Sequence, residues 1–184
     1  MEPVATGLTY DDLAALPDDG QRHELLAGEH VVTPAPLRAH QRVVWRLTTI
    51  VDRWLRDRDA QAYAAPIDVV FDPGTVLQPD LVVLGPAQAA QLVDPRFVDV
   101  VPDLVIEVSS PSTRAHDLVR KRRIYEDHRV PEFWFVDLDA LRVEQYVLAG
   151  DRYGSPTIAQ RGDVVTSRAL DGLELTVTDL FPDG

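Results

Sequence analysis

The sequence contains no cysteine, one methionine and a single lysine, Lys121, among 18 basic residues. Without cysteine the chain cannot form a disulfide framework or a thiolate metal site. Its five histidines show no H-x-x-x-H spacing, which argues against a zinc site. It also lacks the G-x-S-x-G, G-x-x-x-x-G-K-[ST] and G-x-G-x-x-G motifs. Acyl transfer and nucleotide binding therefore have no support in the sequence.

Long hydrophobic segments and targeting signals are missing as well. No apolar run approaches the roughly 18 residues that a membrane-spanning helix needs. The first residues, MEPVATGLTYDDL, lack the basic and apolar regions of a signal peptide. We therefore expect a cytoplasmic protein without a membrane partner. The length of 184 residues fits one domain, 1–184.

The charge of the chain is strongly negative. The formal net charge is −12 and the pI is near 4.7, which argues against a protein that binds nucleic acid by its bulk charge. The segment 114–129 is an exception, with five arginines and Lys121 against three acids. A local basic patch of this kind, or a metal ion, could offset the overall acidity.

The N-terminal third predicts helices around a hairpin. Thr9–Asp12 is a capping box that opens a short helix, and the following hairpin turns at Ala27-Gly28. Apolar residues at three- and four-residue steps then predict a long amphipathic helix at about 37–57. We expect Trp45 and Trp54 of this helix to be core residues.

The remainder of the chain predicts a sheet. A second helix is predicted at about 115–128, and β-rich runs surround it. These runs are residues 62–71, 79–84, 103–108, 132–138 and 141–148. Helices and strands in this order indicate an α/β fold, a mixed α+β sheet with helices on its faces and an N-terminal helix-hairpin extension.

Two carboxylates interrupt apolar strand-like runs: Asp80 in QPDLVVL and Glu107 in DLVIEVSSPS. A buried carboxylate is costly unless it is paired or bound to a metal. Each acid could instead lie on the solvent face of its strand. Two such acids in near-continuous hydrophobic runs favour a shared site, and two carboxylates with waters suit Mg²⁺ or Mn²⁺.

Lys121 is predicted to face the sheet. At about 100° per residue it lies on the same helical stripe as Leu118, Ile124 and Tyr125. The alternatives are a lysine that extends along apolar surface to solvent, or an i,i+4 pair with Asp117. A lysine in a chain that otherwise uses arginine indicates a need for a compact ammonium. It could position a water or stabilise charge on a phosphate.

Residues 79–137, PDLVVL through PDLVIEVSSPSTRAHDLVRKRRIYEDHRVPEFWFVD, resemble the Uma family of restriction endonucleases, within the PD-(D/E)xK nuclease superfamily. The resemblance extends upstream through HELLAGEHVV and covers most of the chain. It identifies Asp80 with the aspartate of the PD dipeptide and Glu107 with the following acid. Ser109 stands where the superfamily usually has its lysine, and Lys121 on the next helix resembles a displaced lysine.

The resemblance implies a restriction endonuclease-like fold, with a catalytic core at about 60–148, and magnesium-dependent hydrolysis of phosphodiester bonds. Asp80, Glu107 and Lys121 would be catalytic, and the two acids would hold the metal. A homodimer is expected because cleavage of both strands of a duplex commonly uses two active sites. DNA is the expected substrate, although the sequence does not distinguish it from RNA.

Five further residues are supporting candidates. An acid from an early element often joins such a site, although Glu24 could equally pair with an arginine such as Arg22. The other four are His40 on the apolar stripe of the long helix, Ser109 in the turn before the second helix, and Asp117 and Tyr125 on that helix. Ser112 or Thr113 in the same turn is available as the N-cap of the second helix.

Three functions are compatible with these residues. The first is a metal-dependent DNA endonuclease. The second is a binding module that keeps the nuclease fold without catalysis, an interpretation that the acidic charge and Ser109 favour. The third is a hydrolase of small phosphoesters.

Overall fold

The computed structural model describes residues 7–17, 19–33, 35–109 and 116–182, and for His116 and Asp117 the backbone alone. Its elements in chain order are α1 (Tyr10–Ala14), β1 (Arg22–Leu26), β2 (Glu29–Thr33), α2 (Arg38–Leu55), β3 (Gln61–Ala64), β4 (Val69–Asp72), β5 (Thr75–Leu77), β6 (Leu81–Leu84), α3 (Pro86–Ala89), β7 (Leu104–Val108), a π-helical segment (His116–Lys121), α4 (Arg122–Asp127), β8 (Glu132–Asp137), β9 (Arg142–Ala149), β10 (Arg152–Tyr153), β11 (Thr157–Ala159), β12 (Val164–Thr166), β13 (Glu174–Thr176) and α5 (Val177–Leu180).

The larger sheet has the strand order β10-β9-β8-β7-β6-β3, and β11 also pairs with β9. Strands β7 and β8 are parallel, whereas their neighbours β6 and β9 are antiparallel to them. Parallel neighbours need a crossover connection, and the π-helical segment with α4 lies in that connection. The mixed sheet with helices that the sequence predicts is therefore present.

Helix α2 covers one face of the large sheet. Its buried stripe is His40, Val43, Leu47, Val51 and Trp54. The four apolar members pack against Leu81, Val83, Leu104 and Ile106 of the sheet and against the C-terminal residues Leu173, Leu175 and Leu180. Trp45 lies on the opposite side of α2 with 75% of its surface exposed. Our prediction of a core position for Trp45 is wrong, because the helix turns this residue away from the sheet.

A smaller sheet and helix α4 cover the other face. The smaller sheet has the order β2-β1-β5-β4, so the N-terminal hairpin is joined to later strands. The apolar side chains between the layers come from both sheets and from α4: Leu26, Val69, Leu77, Val82, Val105, Tyr125, Phe133 and Phe135. Strand β1 therefore lies over the same face of the large sheet as α4.

The second helix has a feature that the sequence does not reveal. Residues His116–Lys121 form a π-helical segment, and the α-helix begins only at Arg122. Lys121 is nevertheless buried, while Arg120 and Arg123 are exposed, so the predicted face is correct. In the described part of the chain, no helix combines the length and hydrophobicity required to cross a bilayer.

Candidate active site

Asp80 lies immediately before β6 and is 2% exposed. Three donors bind its carboxylate. Arg22 donates from Nη1 to Oδ1 at 3.0 Å, His40 donates from Nε2 to Oδ2 at 2.9 Å, and the backbone N–H of Val108 donates to Oδ2 at 2.8 Å. Strand β1, helix α2 and strand β7 therefore converge on this one side chain.

The surroundings of Asp80 favour its charged form. Burial raises the pKa of a carboxyl group, but the hydrogen bond and charge of His40, the charge of Arg22 and the Val108 N–H act in the other direction. Together they outweigh burial, so the pKa of Asp80 lies below its ordinary value. Asp80 is an anion at neutral pH despite its burial.

Glu107 lies in the fully buried strand β7 and is bound by two residues of the crossover. Lys121 donates from Nζ to Oε1 at 3.1 Å, and the Tyr125 hydroxyl donates to the same oxygen at 2.6 Å. Lys121 and Tyr125 are 3% and 0% exposed. The lysine therefore does not extend to solvent, which removes one of the alternatives for its role.

Glu24 completes the group around Lys121. The Lys121 ammonium lies 2.8 Å from Glu24 Oε1, so it bridges Glu24 and Glu107. The backbone N–H of Gln78 donates to Glu24 Oε1 at 2.7 Å, and the Thr33 hydroxyl donates to Oε2 at 3.3 Å. Burial of the two carboxylates costs free energy because they lose their hydration, and the Lys121 ammonium between them offsets part of this cost.

Strand register joins the Asp80 group to the Glu107 group. Leu81 pairs with Ile106 in the antiparallel β6–β7 ladder, so Asp80 lies at the level of Glu107 one step further. Arg22 and Glu24 lie two residues apart on β1, and alternate residues of a strand share a face. The arginine therefore reaches Asp80 and the glutamate reaches Lys121 from the same side of β1.

Of the predicted residues, the structure brings together Asp80, Glu107, Lys121, Glu24, His40 and Tyr125. Ser109 is buried, and its hydroxyl accepts the backbone N–H of Leu138 at 3.2 Å, at the end of β8. Its contact ties β7 to the turn after β8 instead of joining the two groups. The side chain of Asp117, and Ser112 and Thr113 as possible N-caps, lie outside the described residues.

Sequence reasoning missed the contributions of three residues to the site: Arg22, Gln78 and Asp68. Arg22 was considered only as a partner for Glu24, yet it binds Asp80. Gln78 binds Glu24 through its backbone and donates from Nε2 to Asp68 Oδ1 at 2.8 Å. Burial raises the pKa of Asp68, the Gln78 hydrogen bond lowers it and the charge of Glu24 raises it further, with a net upward shift. The contribution of Arg22 could have been predicted from its spacing, because Arg22 and Glu24 lie two residues apart on one hairpin strand and so share a face.

The chemistry of the donors suits a hard divalent cation. Carboxylate oxygens are the ligands that Mg²⁺ and Mn²⁺ prefer, and Mg²⁺ is often held by one or two carboxylates with waters. Asp80 and Glu107, at one level of adjacent strands, fit that requirement. Across the described ranges, no three His, Asp or Glu side chains are grouped as ligands for one ion. The two-carboxylate arrangement is thus the one available here.

Comparison with known proteins shows a family to which the chain belongs and a solved structure with a similar fold. A family model named Uma2, described as "Putative restriction endonuclease", matches residues 10–178. Among solved structures, the chain is similar to "a putative nuclease belonging to DUF820" from Anabaena variabilis. The TM-score is 0.79 at 19% identity, over 95% of this chain and 98% of the other. A search of curated proteins found no match. The predicted restriction endonuclease-like α/β fold is confirmed.

Proposed function

Because the chain belongs to the Uma2 family of restriction endonucleases, we propose that it is a metal-dependent endonuclease that hydrolyses phosphodiester bonds in DNA. The observation that carries this proposal is the position of Lys121, buried between Glu24 and Glu107, with Asp80 at the level of Glu107 on the adjacent strand. A buried ammonium, together with carboxylates that would hold a divalent ion, supplies positive charge that stabilises the transition state of phosphoryl transfer.

In the proposed mechanism Asp80 and Glu107 hold one Mg²⁺ or Mn²⁺. The bound ion would supply Lewis-acid stabilisation of negative charge on the phosphate. His40 and Arg22 keep Asp80 ionised and fix both of its oxygens. Tyr125 fixes the orientation of Glu107 by its 2.6 Å hydrogen bond. These residues position the carboxylates before substrate arrives.

Lys121 is proposed to donate a hydrogen bond to the attacking water or to a phosphate oxygen. Its ammonium is a compact charge with three donors, and it lies 2.8 Å from Glu24 Oε1 and 3.1 Å from Glu107 Oε1. A guanidinium is larger and planar, so an arginine could not occupy the same space with the same donors. The compact shape of lysine explains why this position keeps it in an arginine-rich chain.

The test is cleavage of plasmid and oligonucleotide DNA with Mg²⁺ or Mn²⁺ by the wild type and matched variants. We expect Glu107→Gln and Lys121→Met each to reduce the rate by roughly 10²- to 10³-fold, since each removes a group that stabilises charge at the reacting phosphate. Arg123→Met removes an exposed cation from the same helix and should retain the wild-type rate.

Folding must be separated from chemistry, because Lys121→Met leaves two buried carboxylates without their cation. The double variant Glu24→Gln/Lys121→Met removes one acid and one base together and keeps the charge balanced. Thermal unfolding should show this double variant folded, and it should remain inactive. A folded double variant that cleaves at the wild-type rate would show that Lys121 has no catalytic role.

A second function is favoured by one observation. Asp80, Glu107 and Glu24 are each already bound by an internal cation, as expected for a nuclease fold kept for binding alone. Such a module would bind DNA without cleaving it at any metal concentration. DNA retention by a protein that leaves every substrate intact would select this second function over the nuclease.

A further inference from the structure

The outer face of helix α2 carries an unusual set of exposed side chains. Arg38, Gln41, Arg42 and Trp45 lie within about 100° of one another around the helix axis. All four are exposed, and they point away from the buried stripe of the same helix. Tryptophan is highly buried on average, so 75% exposure of Trp45 is an observation that the fold does not explain.

The charge of this face is opposite to that of the molecule. No aspartate or glutamate occurs between residues 37 and 51, in a chain whose net charge is −12. Within the part of the chain that the structure describes, Arg38 and Arg42 form no ion pair or hydrogen bond. Arg46 is different, because it donates to the carbonyl oxygen of Leu180 at 2.7 Å. Two free guanidinium groups therefore flank an exposed indole.

This face and the candidate active site lie on opposite sides of the N-terminal half of α2. His40 belongs to the same first turn of α2 as Arg38, and its Nε2 lies 2.9 Å from Asp80 Oδ2. Trp45 follows five residues later, about 7.5 Å further along the axis at 1.5 Å per residue. The width of α2, roughly 10 Å with its side chains, separates Asp80 from the outer face, so a strand that reaches both passes around the N-terminal turn of α2 and spans several nucleotides.

We propose that the outer face of α2 binds an unpaired stretch of the DNA substrate. Arg38 and Arg42 contact successive phosphates, and a base stacks on Trp45. Bases in a duplex expose only their edges in the grooves, so stacking on an indole needs a base that is not paired. The inference rests on the proposed nuclease function and adds to it the substrate class: DNA with a single-stranded segment several nucleotides from the cleaved bond.

A second copy of this chain is a poorer occupant of the same face. A two-fold interface brings one patch against the same patch of its partner. Arg38 and Arg42 would then face their own copies with no acid on this face of α2 to compensate them. Phosphates supply the complementary charge, and nucleobases supply a flat surface for Trp45, which stacks on no ring among the residues that the structure describes.

The experiment measures binding of labelled single-stranded and duplex oligonucleotides to the full chain by fluorescence anisotropy, in EDTA to prevent cleavage. Trp45→Ala should weaken binding of the single strand roughly tenfold, because the variant loses the stacking of one base on the indole. Duplex affinity should change little, and Trp45→Phe should recover part of the loss. Arg38→Gln/Arg42→Gln should lower the salt dependence for the single strand by about 1.4 in the log–log slope.

The matched control is Arg53→Gln/Arg56→Gln, which removes the same charge from the other end of this helix. It should leave the affinity for single-stranded DNA and its salt dependence unchanged. Equal single-strand affinities for Trp45→Ala and the wild type would contradict the proposed binding surface on α2 but would not contradict the proposed nuclease function. Wild-type protein that neither binds nor cleaves DNA overturns both. A wild-type dimer in sedimentation that Trp45→Ala dissociates also overturns the surface, in favour of a second copy.

Discussion

At the scale of single residues, Asp80 is a buried group whose ionisation depends on its neighbours. Its pKa lies below the ordinary value because His40, Arg22 and the Val108 N–H outweigh the effect of burial. A carboxyl whose pKa is lower in the folded state stabilises the fold above its unfolded pKa, about 3.9. This stabilisation is lost as the pH falls through the lower folded pKa.

We expect the free-energy difference between wild type and Asp80→Asn to be about 3 kcal/mol at neutral pH, as for a broken buried pair. It should shrink as the pH falls below about 4. In a His40→Ala background the folded-state pKa of Asp80 rises toward its unfolded value, so the difference should be smaller at neutral pH and its loss should be complete at a higher pH. Urea unfolding across this pH range measures both differences. Identical pH profiles in the two backgrounds would refute the role assigned to His40.

At the scale of elements, Glu132 connects the C-terminal segment to the large sheet. It begins β8, is 0% exposed and has donors from three parts of the chain. Its Oε1 accepts from Trp134 Nε1 at 2.5 Å and Gln145 Nε2 at 2.6 Å. Its Oε2 accepts from the Ser167 hydroxyl at 2.6 Å and from the backbone of Arg168 at 2.8 Å and Ala169 at 2.9 Å. Five donors satisfy this buried carboxylate without a metal.

Glu132→Gln should therefore destabilise the protein by about 3 kcal/mol, because the new amide group turns donors toward donors in a buried site. Hydrogen exchange should become faster in β12 and β13, which this contact anchors through residues 167–169. Glu174→Gln is the control: Glu174 is exposed and accepts a hydrogen bond from the Thr166 hydroxyl at 3.2 Å within the same hairpin. If both variants show the unfolding midpoint and the hydrogen-exchange rates of the wild type, Glu132 does not anchor the C-terminal segment.

At the scale of the whole molecule, the candidate site draws on both sheets and two helices. Glu24 and Arg22 come from the smaller sheet, His40 from α2, Asp80 and Glu107 from the larger sheet, and Lys121 from the crossover. Three of these, Arg22, Glu24 and His40, precede the core predicted at 60–148. A ligand bound at this junction would stabilise the entire fold, because it would bind the folded chain and not the unfolded one.

Mn²⁺ should accordingly raise the melting temperature, with a stabilisation of about 2.7 kcal/mol at a free concentration of 100 times Kd. Glu107→Gln should abolish this increase. Glu132→Gln should retain it from a lower starting temperature, since Glu132 lies outside the candidate site. Differential scanning fluorimetry with a Mn²⁺ titration provides the measurement. An equal increase in wild type and Glu107→Gln would place any bound ion elsewhere.

Patterns that are local in the chain were readable from the sequence. The hairpin turn at Ala27-Gly28 follows from two residues that adopt positive φ, and the strands β6–β9 follow from short β-rich runs. The inward face of Lys121 follows from helical periodicity, even though the helix begins as a π-helical segment. Asp80 and Glu107 were identifiable because a carboxylate in an apolar run is costly without a partner.

The partners themselves depended on the tertiary structure. The sequence determined that Asp80, Glu107 and Lys121 needed compensation, because burial and charge are set by periodicity and residue type. It could not determine that Arg22 binds Asp80 rather than Glu24, or that Lys121 bridges Glu107 and Glu24, because these contacts join residues 14 to 97 positions apart. Likewise, only the orientation of α2 decided that Trp45 faces solvent. Long-range pairing and helix orientation arise from the packing of the whole chain.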